Sequence, residues 1–208
     1  MIRNMSQAMS LASLIALLPA AAGAQEASDA TLAAKSAEAE KIAAAAEEMR
    51  VGPVVGMPAP EATLLGPDGE VTFADLAGEK GTVVAFFRSA DWCPYCQKQL
   101  VSLEDAAQPL DQLGWTLVAV SYDSPETLSE FKAKKELHYG LYSDPGSAAI
   151  DAFDLRNREM RPGSRYDGIP HPAIVFIGAD GIVKGVLREE GYKNRPSNEA
   201  ILEMAGAL

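Results

Sequence analysis

After residue 50, the pattern of apolar and polar positions predicts strands that alternate with amphipathic helices. Two apolar runs, Thr82–Phe87 and Trp115–Ser121, are predicted to be buried strands. Helices are predicted over Pro94 to about Leu110, over Pro125–Leu137 behind the cap Ser124, over Ser147–Phe153, and from the cap Ser197 to Ala207. Hairpins are predicted to join Ala62–Leu65 to Val71–Phe73 and Ala173–Ile177 to Ile182–Leu187. This order predicts an α/β domain whose mixed sheet is covered by helices on both faces.

The first 24 residues have the pattern of a secretory signal peptide. Arg3 precedes an apolar stretch from Leu11 to Ala22, and Ala22-Gly23-Ala24 has the form of an A-x-A cleavage site. The apolar stretch is shorter than the roughly 20 residues that a membrane-spanning helix needs. We therefore expect export, most simply to a bacterial periplasm. An uncleaved N-terminal anchor is the alternative.

Residues 25–50 are rich in alanine and glutamate and contain neither proline nor glycine. Propensity alone predicts a helix here, in addition to those of the α/β domain. Its apolar stripe is thin, so we expect loose packing, with a partner-binding or dimerising helix as the alternative. Val51-Gly52-Pro53 ends this segment, and one domain follows over residues 51–208.

The charge of the chain excludes one large class of partner. The formal net charge is -11, and no cluster of lysine and arginine offsets it. Such a chain repels phosphate backbones, so we expect no binding of nucleic acid.

The chemistry is concentrated in Trp92-Cys93-Pro94-Tyr95-Cys96, which contains both cysteines of the chain. Two thiols at C-x-x-C spacing between a buried strand and a helix are typical of a thioredoxin-like redox centre. The helix N-terminus favours the thiolate of Cys93 over its thiol. Pro94 falls in the first turn, where no backbone donor is needed. We expect Cys93 and Cys96 to form a redox-active disulfide.

Three other interpretations of the C-x-x-C motif carry less weight. A zinc site needs about four ligands, but there is no second cysteine pair, and His138 and His171 lack paired-ligand spacing. An inert disulfide that encloses two residues would constrain the unfolded chain little. A binding module that uses the motif incidentally would not need both thiols intact. We therefore expect neither a metal nor another cofactor.

Several segments, taken in order, resemble the redoxin and peroxiredoxin-like (AhpC/TSA) branch of the thioredoxin superfamily. Gly56-Met57-Pro58-Ala59-Pro60 is similar to the opening G-x-x-A-P of redoxin domains. Residues 87–96 resemble both the W-C-x-x-C of thioredoxins and the peroxiredoxin stretch F-x-x-x-D-[FW]-T-x-x-C. Residues 121–126 and 142–145 resemble the peroxiredoxin segments S-x-D-S-x-E and L-S-D-P. The resemblance covers about Val54 to Leu208 and implies a thioredoxin-like fold.

The resemblance also implies a substrate loop. In thioredoxin-like proteins a cis-proline faces the C-x-x-C motif, and here Pro172 takes that position, with Pro170 as a competing candidate. A cis bond there would let the His171 backbone pair with an incoming peptide. The His171 side chain is either a neighbour that tunes the Cys93 thiolate or a solvated loop residue. Trp92, Pro94 and Tyr95 would help to position the substrate.

Two mechanisms compete. In thiol–disulfide exchange, an exposed Cys93 attacks a partner disulfide and the more buried Cys96 resolves the mixed disulfide. In the alternative, a peroxiredoxin-like thiol peroxidase, Cys96 attacks a peroxide and Cys93 resolves the sulfenic acid. Cys93 replaces the family's active-site threonine and Pro172 its arginine, for which Arg88 and Arg165 are candidate substitutes. These departures favour thiol–disulfide exchange with protein thiols or disulfides and an external thiol reductant or oxidant.

Overall fold

The computed structural model of the protein describes residues 51–189 and 191–208. The predicted signal peptide and the predicted helix over 25–50 lie outside these residues. The strands are β1 (Thr63–Gly66), β2 (Gly69–Thr72), β3 (Gly81–Phe86), β4 (Trp115–Ser121), β5 (Gly140–Ser143), β6 (Ala173–Gly178) and β7 (Val183–Leu187). The helices are α1 (Pro94–Gln112), α2 (Pro125–Lys135), α3 (Ala148–Ala152) and α4 (Asn198–Ala207).

The strands form one mixed sheet in the order β2-β1-β5-β4-β3-β6-β7. The central strands pair in parallel, β3 with β4 and β4 with β5. The flanking strands pair antiparallel, β1 with β2 and β5, and β6 with β3 and β7. Parallel strands need a crossover connection, which α1 and α2 provide. The mixed thioredoxin-like sheet predicted from the sequence is confirmed.

Strand β3 shows why the sheet is covered on both faces. All six of its residues are buried, and the side chains from Val83 to Phe86 alternate between two apolar clusters. Val83 and Ala85 belong to the cluster that contains buried residues of α1, α2 and α4. Val84 and Phe86 belong to the cluster that contains α3. A strand buried on both faces is expected to be a continuous apolar run, as Thr82–Phe87 is.

Several elements differ by one or two residues from their predicted bounds, and one strand was not predicted. Helix α1 continues two residues past Leu110, with Pro109 inside its last turn. Helix α2 ends at Lys135 because Glu136 adopts a left-handed conformation (φ 54°) and the N–H of Leu137 bonds back to the Lys132 carbonyl. Strand β5 was not predicted, since its four residues carry a weak local signal. No helix among the described residues is long and apolar enough to cross a membrane.

Candidate active site

Cys93 lies at the N-cap position of α1, seven residues after the end of β3. Its backbone is extended (φ -100°, ψ 99°), and its Sγ accepts a hydrogen bond from the Cys96 N–H at 3.3 Å. Pro94 occupies the first helical position, as predicted. Cys93 and Cys96 form a disulfide whose Cα atoms lie 5.3 Å apart. Both sulfurs thus lie at the positive end of the helix dipole, where a thiolate is stabilised.

The expectation of an exposed Cys93 is wrong for the disulfide form. Cys93 is 2% exposed and Cys96 is 0% exposed, and both belong to the apolar cluster beneath α1. Trp92 and Tyr95 are half-buried and pack against the same cluster. Pro94 is exposed. Exposure therefore does not assign the role of nucleophile to either cysteine.

The loop that carries Cys93 is anchored by the buried carboxylate of Asp123. Its oxygens accept hydrogen bonds from the Ser89 hydroxyl at 2.8 Å, the Ala90 N–H at 2.6 Å and the Ser121 hydroxyl at 3.0 Å. The Ser89 oxygen accepts in turn from the N–H groups of Asp91 and Trp92. Burial raises the pKa of Asp123, and these hydrogen bonds oppose the increase. The network fixes the turn that leads into the disulfide.

Arg195 lies beside Cys96, and the sequence analysis missed it. Its Nη2 is 3.5 Å from the Cys96 Sγ, and its Nε donates to the Gln99 side chain at 2.8 Å. Its Nη1 donates to the carbonyls of Tyr192 and Asn194. Burial, and then the charge of Arg88, lowers the pKa of Arg195 to about 10, so the guanidinium stays charged at neutral pH. No local pattern marks this arginine, because only the fold brings it to Cys96.

Two further arginines surround Trp92. The Arg88 guanidinium lies 5.0 Å from the Trp92 ring centroid and 4.7 Å from that of Tyr192. Arg165 lies 5.7 Å from the Trp92 ring on the same measure. The Trp92 Nε1 donates to the Tyr122 hydroxyl at 3.0 Å. The structure thus places both candidate substitutes for the family arginine around the residue that precedes Cys93.

The predicted cis-proline is wrong. No peptide bond between described residues is cis, so Pro170 and Pro172 both follow trans bonds. The His171 N–H donates to the Leu155 carbonyl at 2.7 Å, and Asn157 bonds to Ile169 in the same antiparallel pairing. The backbone donor that was expected to receive an incoming peptide is therefore already engaged. Pro172 itself is buried immediately before β6.

His171 is half-buried rather than fully solvated. Burial, and then the charge of Arg188, lowers the pKa of His171. The imidazole is thus mainly neutral at pH 7, which leaves it little electrostatic effect on a thiolate. Among the described residues, no group of three or more histidine, cysteine, aspartate or glutamate side chains could hold a metal ion.

Sequence comparison agrees with this geometry. The AhpC/TSA family profile matches residues 55–186, which is more than half of the chain. The chain belongs to the AhpC/TSA family. The putative peroxiredoxin bcp of Haemophilus influenzae is 31% identical over 155 residues, which cover 74% of this chain and 97% of that protein. The peroxiredoxin Bcp of Escherichia coli K12 is 30% identical over 145 residues, which cover 69% and 90%.

Solved structures show that the fold is also that of the family. Peroxidoxin BcpB from Mycobacterium tuberculosis superimposes with a TM-score of 0.61 at 20% identity, over 76% of this chain and 96% of that one. The reduced Prx3 of Vibrio vulnificus, solved in complex with hydrogen peroxide, gives 0.62 at 20% identity, over 73% and 98%. Family membership makes the protein an oxidoreductase that acts on thiol groups.

Proposed function

We propose that this protein is a thiol peroxidase in which Cys96 attacks the peroxide and Cys93 resolves the product. The contact of Arg195 with the Cys96 sulfur carries the proposal, because it supplies a cation at Cys96 although Pro172 replaces the family's arginine in the sequence. The similar proteins at 30–31% identity are named peroxiredoxins, which supports the same activity. Thiol–disulfide exchange, favoured by the sequence pattern, loses the substrate loop on which it relied.

In the first step, the Cys96 thiolate attacks the terminal O–H oxygen of the peroxide ROOH and the O–O bond breaks. Cys96 becomes a sulfenic acid, and the RO⁻ group leaves as the alcohol after taking up a proton. Arg195 and the N-terminus of α1 lower the thiol pKa by stabilising the thiolate. The Arg195 charge, 3.5 Å from the Cys96 sulfur, would also stabilise the negative charge that develops as the O–O bond breaks.

In the second step, the Cys93 thiolate attacks the Cys96 sulfenic sulfur. An S–S bond forms and the S–O bond breaks, and the hydroxide leaves as water after it is protonated. The product is the disulfide seen in the structure, with the two cysteines on one helical turn. Two electrons from two external thiol groups must then restore the dithiol.

Single cysteine variants of the reduced protein test this assignment. Cys93→Ser should form a sulfenic acid at Cys96 on addition of hydrogen peroxide, detected by a dimedone adduct at that residue. Cys96→Ser should form no such adduct rapidly at Cys93. A dimedone adduct that forms quickly only in Cys96→Ser would reverse the roles of the two cysteines. If neither variant reacts faster than a free thiol, thiol–disulfide exchange becomes the better proposal.

We also propose that the protein works after export, most simply in a bacterial periplasm. The proposal is supported by the signal-like pattern of residues 1–24. In an oxidising compartment, the disulfide persists unless a dedicated reductant opens it. Expression with the native N-terminus, followed by cell fractionation and N-terminal sequencing, tests this: a cytoplasmic, unprocessed protein would contradict it.

A further inference from the structure

A pocket of about 340 Å³ is lined by Tyr95 of the C-x-x-C turn and by Arg195, whose guanidinium contacts the Cys96 sulfur. Its walls come from the C-x-x-C turn, the exposed side of α1, the segment before α4 and the first turn of α4. Its lining residues include Tyr95, Lys98, Lys193, Arg195 and Glu199. Pockets that hold small molecules have volumes from about 300 to 1,000 Å³. The volume of this pocket lies near the lower end of that range.

The pocket has an excess of positive charge, although the chain as a whole is acidic. Lys98, Lys193 and Arg195 line it, and Glu199 is the opposing carboxylate among its lining residues. Glu199 interacts with the Ser197 side chain and with its own backbone at the start of α4, and these contacts lower its pKa. No ion pair between described residues includes any of the three cations.

The arginine of the pocket is held by hydrogen bonds, whereas its two lysines are not held in this way by any described residue. The Arg195 guanidinium is fixed by Gln99, by two backbone carbonyls and by the Cys96 sulfur, so it links the lining of the pocket to the disulfide. Lys98 is exposed, and the Lys193 Nζ lies 5.7 Å from the Tyr192 ring centroid. Neither ammonium forms a hydrogen bond to another described residue. The lysines are therefore available to an anionic ligand.

We propose that this pocket binds the carboxylate of a small anionic thiol, which reduces the Cys93–Cys96 disulfide. The inference rests on the proposed function, which requires an external thiol after each turnover. The pocket is present in the disulfide form of the protein. This is the form with which the reductant reacts. An acidic thiol would also suffer repulsion from the rest of the protein unless a local positive site received it.

The reduction balances with two thiol molecules. The first thiolate, RS⁻, attacks the Cys93 sulfur, so that an S–S bond forms to RS and the Cys93–Cys96 bond breaks. Cys96 leaves as a thiolate beside Arg195, which stabilises the leaving group. A second thiolate then attacks the sulfur of the bound RS group and releases RSSR and the Cys93 thiolate. Two thiols lose two electrons, and the disulfide gains them.

The test compares thiols that differ in charge. The full-chain oxidised protein is mixed with mercaptopropionate (anionic), mercaptoethanol (neutral) or cysteamine (cationic), with glutathione as a peptide-sized anionic thiol. The rate of disulfide opening is followed by alkylation and mass spectrometry and divided by the thiolate concentration. We expect the anionic thiols to react roughly 3- to 10-fold faster than mercaptoethanol, as two exposed charge contacts would allow, and added salt to remove the difference.

Charge variants locate the effect. The double variant Lys98→Gln/Lys193→Gln should lose the preference for anionic thiols and keep its rate with mercaptoethanol. The matched control Lys134→Gln/Lys135→Gln removes two exposed lysines from the end of α2 and should keep the preference. Equal rates for anionic and neutral thiols, or a preference that survives Lys98→Gln/Lys193→Gln, would overturn the proposal.

Two further measurements distinguish reduction by a small thiol from reduction by a protein, and test the peroxidase function separately. If only a reduced thioredoxin opens the disulfide at a useful rate, the reductant is a protein and the small-thiol proposal fails. Peroxide consumption by the pre-reduced protein is measured without any added thiol. If the pre-reduced protein consumes no peroxide, the proposed peroxidase function is refuted. The charge preference of disulfide reduction would remain a separate result.

Discussion

The Arg195 Nη2 lies 3.5 Å from the Cys96 Sγ, although the two residues are 99 positions apart in the chain. Arg195 precedes α4, whereas Cys96 lies in the first turn of α1. The contact arises because both helices pack into one apolar cluster, through Leu100 and Leu103 on α1 and Ile201 and Ala205 on α4. It gives the buried Cys96 a charged neighbour that stabilises a thiolate better than a thiol.

Replacing Arg195 should raise the pKa of the Cys96 thiol and slow its reaction with peroxide. A hydrogen bond to a charged group contributes about 1.5–3 kcal/mol, so Arg195→Gln should react roughly 10- to 100-fold more slowly at neutral pH. The inflection of the rate against pH should move to higher pH, because the thiolate has lost its cation. Stopped-flow measurement of peroxide oxidation of the reduced protein gives both quantities.

Two variants serve as controls for Arg195→Gln. Arg195→Lys keeps a charge and should recover part of the rate. Arg158→Gln removes an exposed arginine that pairs with Asp154, and it should leave the pH profile unchanged. An unshifted profile in Arg195→Gln would show that the arginine does not act on the Cys96 sulfur.

Asp123 should be needed for stability, because it holds the turn before Cys93. Asp123→Ala leaves the buried Ala90 N–H and two hydroxyl groups without their acceptor. We expect the free energy of unfolding to fall by about 1–3 kcal/mol in urea titrations. Asp91→Ala, at an exposed position in the same turn, is the matched control and should change little. Equal stability of the two variants would show that the network contributes nothing.

The Asp123 effect should also depend on pH. Because the pKa of Asp123 is raised by burial, the folded protein holds a proton on this carboxyl more tightly than the unfolded chain does. The cost of burying the charge is present in full above the raised pKa and is lost as pH falls towards the ordinary value of about 3.9. The stability difference between the wild type and Asp123→Ala should therefore shift in favour of the wild type as pH falls through that window.

Replacement of Pro172 should leave disulfide exchange unchanged. The bond before Pro172 is trans, and the His171 N–H is engaged by Leu155. The substitution Pro172→Ala therefore disturbs no backbone that binds a substrate. The disulfide of this variant should be reduced by mercaptoethanol and by thioredoxin at the wild-type rates. The comparison requires circular dichroism to verify that the variant is folded. A selective loss of the thioredoxin reaction would restore Pro172 to a substrate loop.

The sequence by itself determined the framework of the protein. The apolar run Thr82–Phe87 is buried on both faces because it has no polar side to expose. The capped pattern Ser124-Pro125 begins a helix because the serine oxygen accepts the Thr127 N–H, a local interaction. Cys93 and Cys96 lie in the first turn of a helix for the same reason, because their three-residue spacing and the local preference for a helix start are properties of the sequence.

Tertiary structure decided what surrounds the sulfurs. Strand β5 has a glycine and few apolar residues, and it exists because β4 and β1 pair with its two edges. The His171 N–H is engaged by the Leu155 carbonyl, a contact that no local pattern predicts. Arg195 meets Cys96, and Arg88 meets Tyr192, only after α4 docks on α1. Contacts between distant segments depend on how the helices and strands pack, and no short sequence pattern marks them.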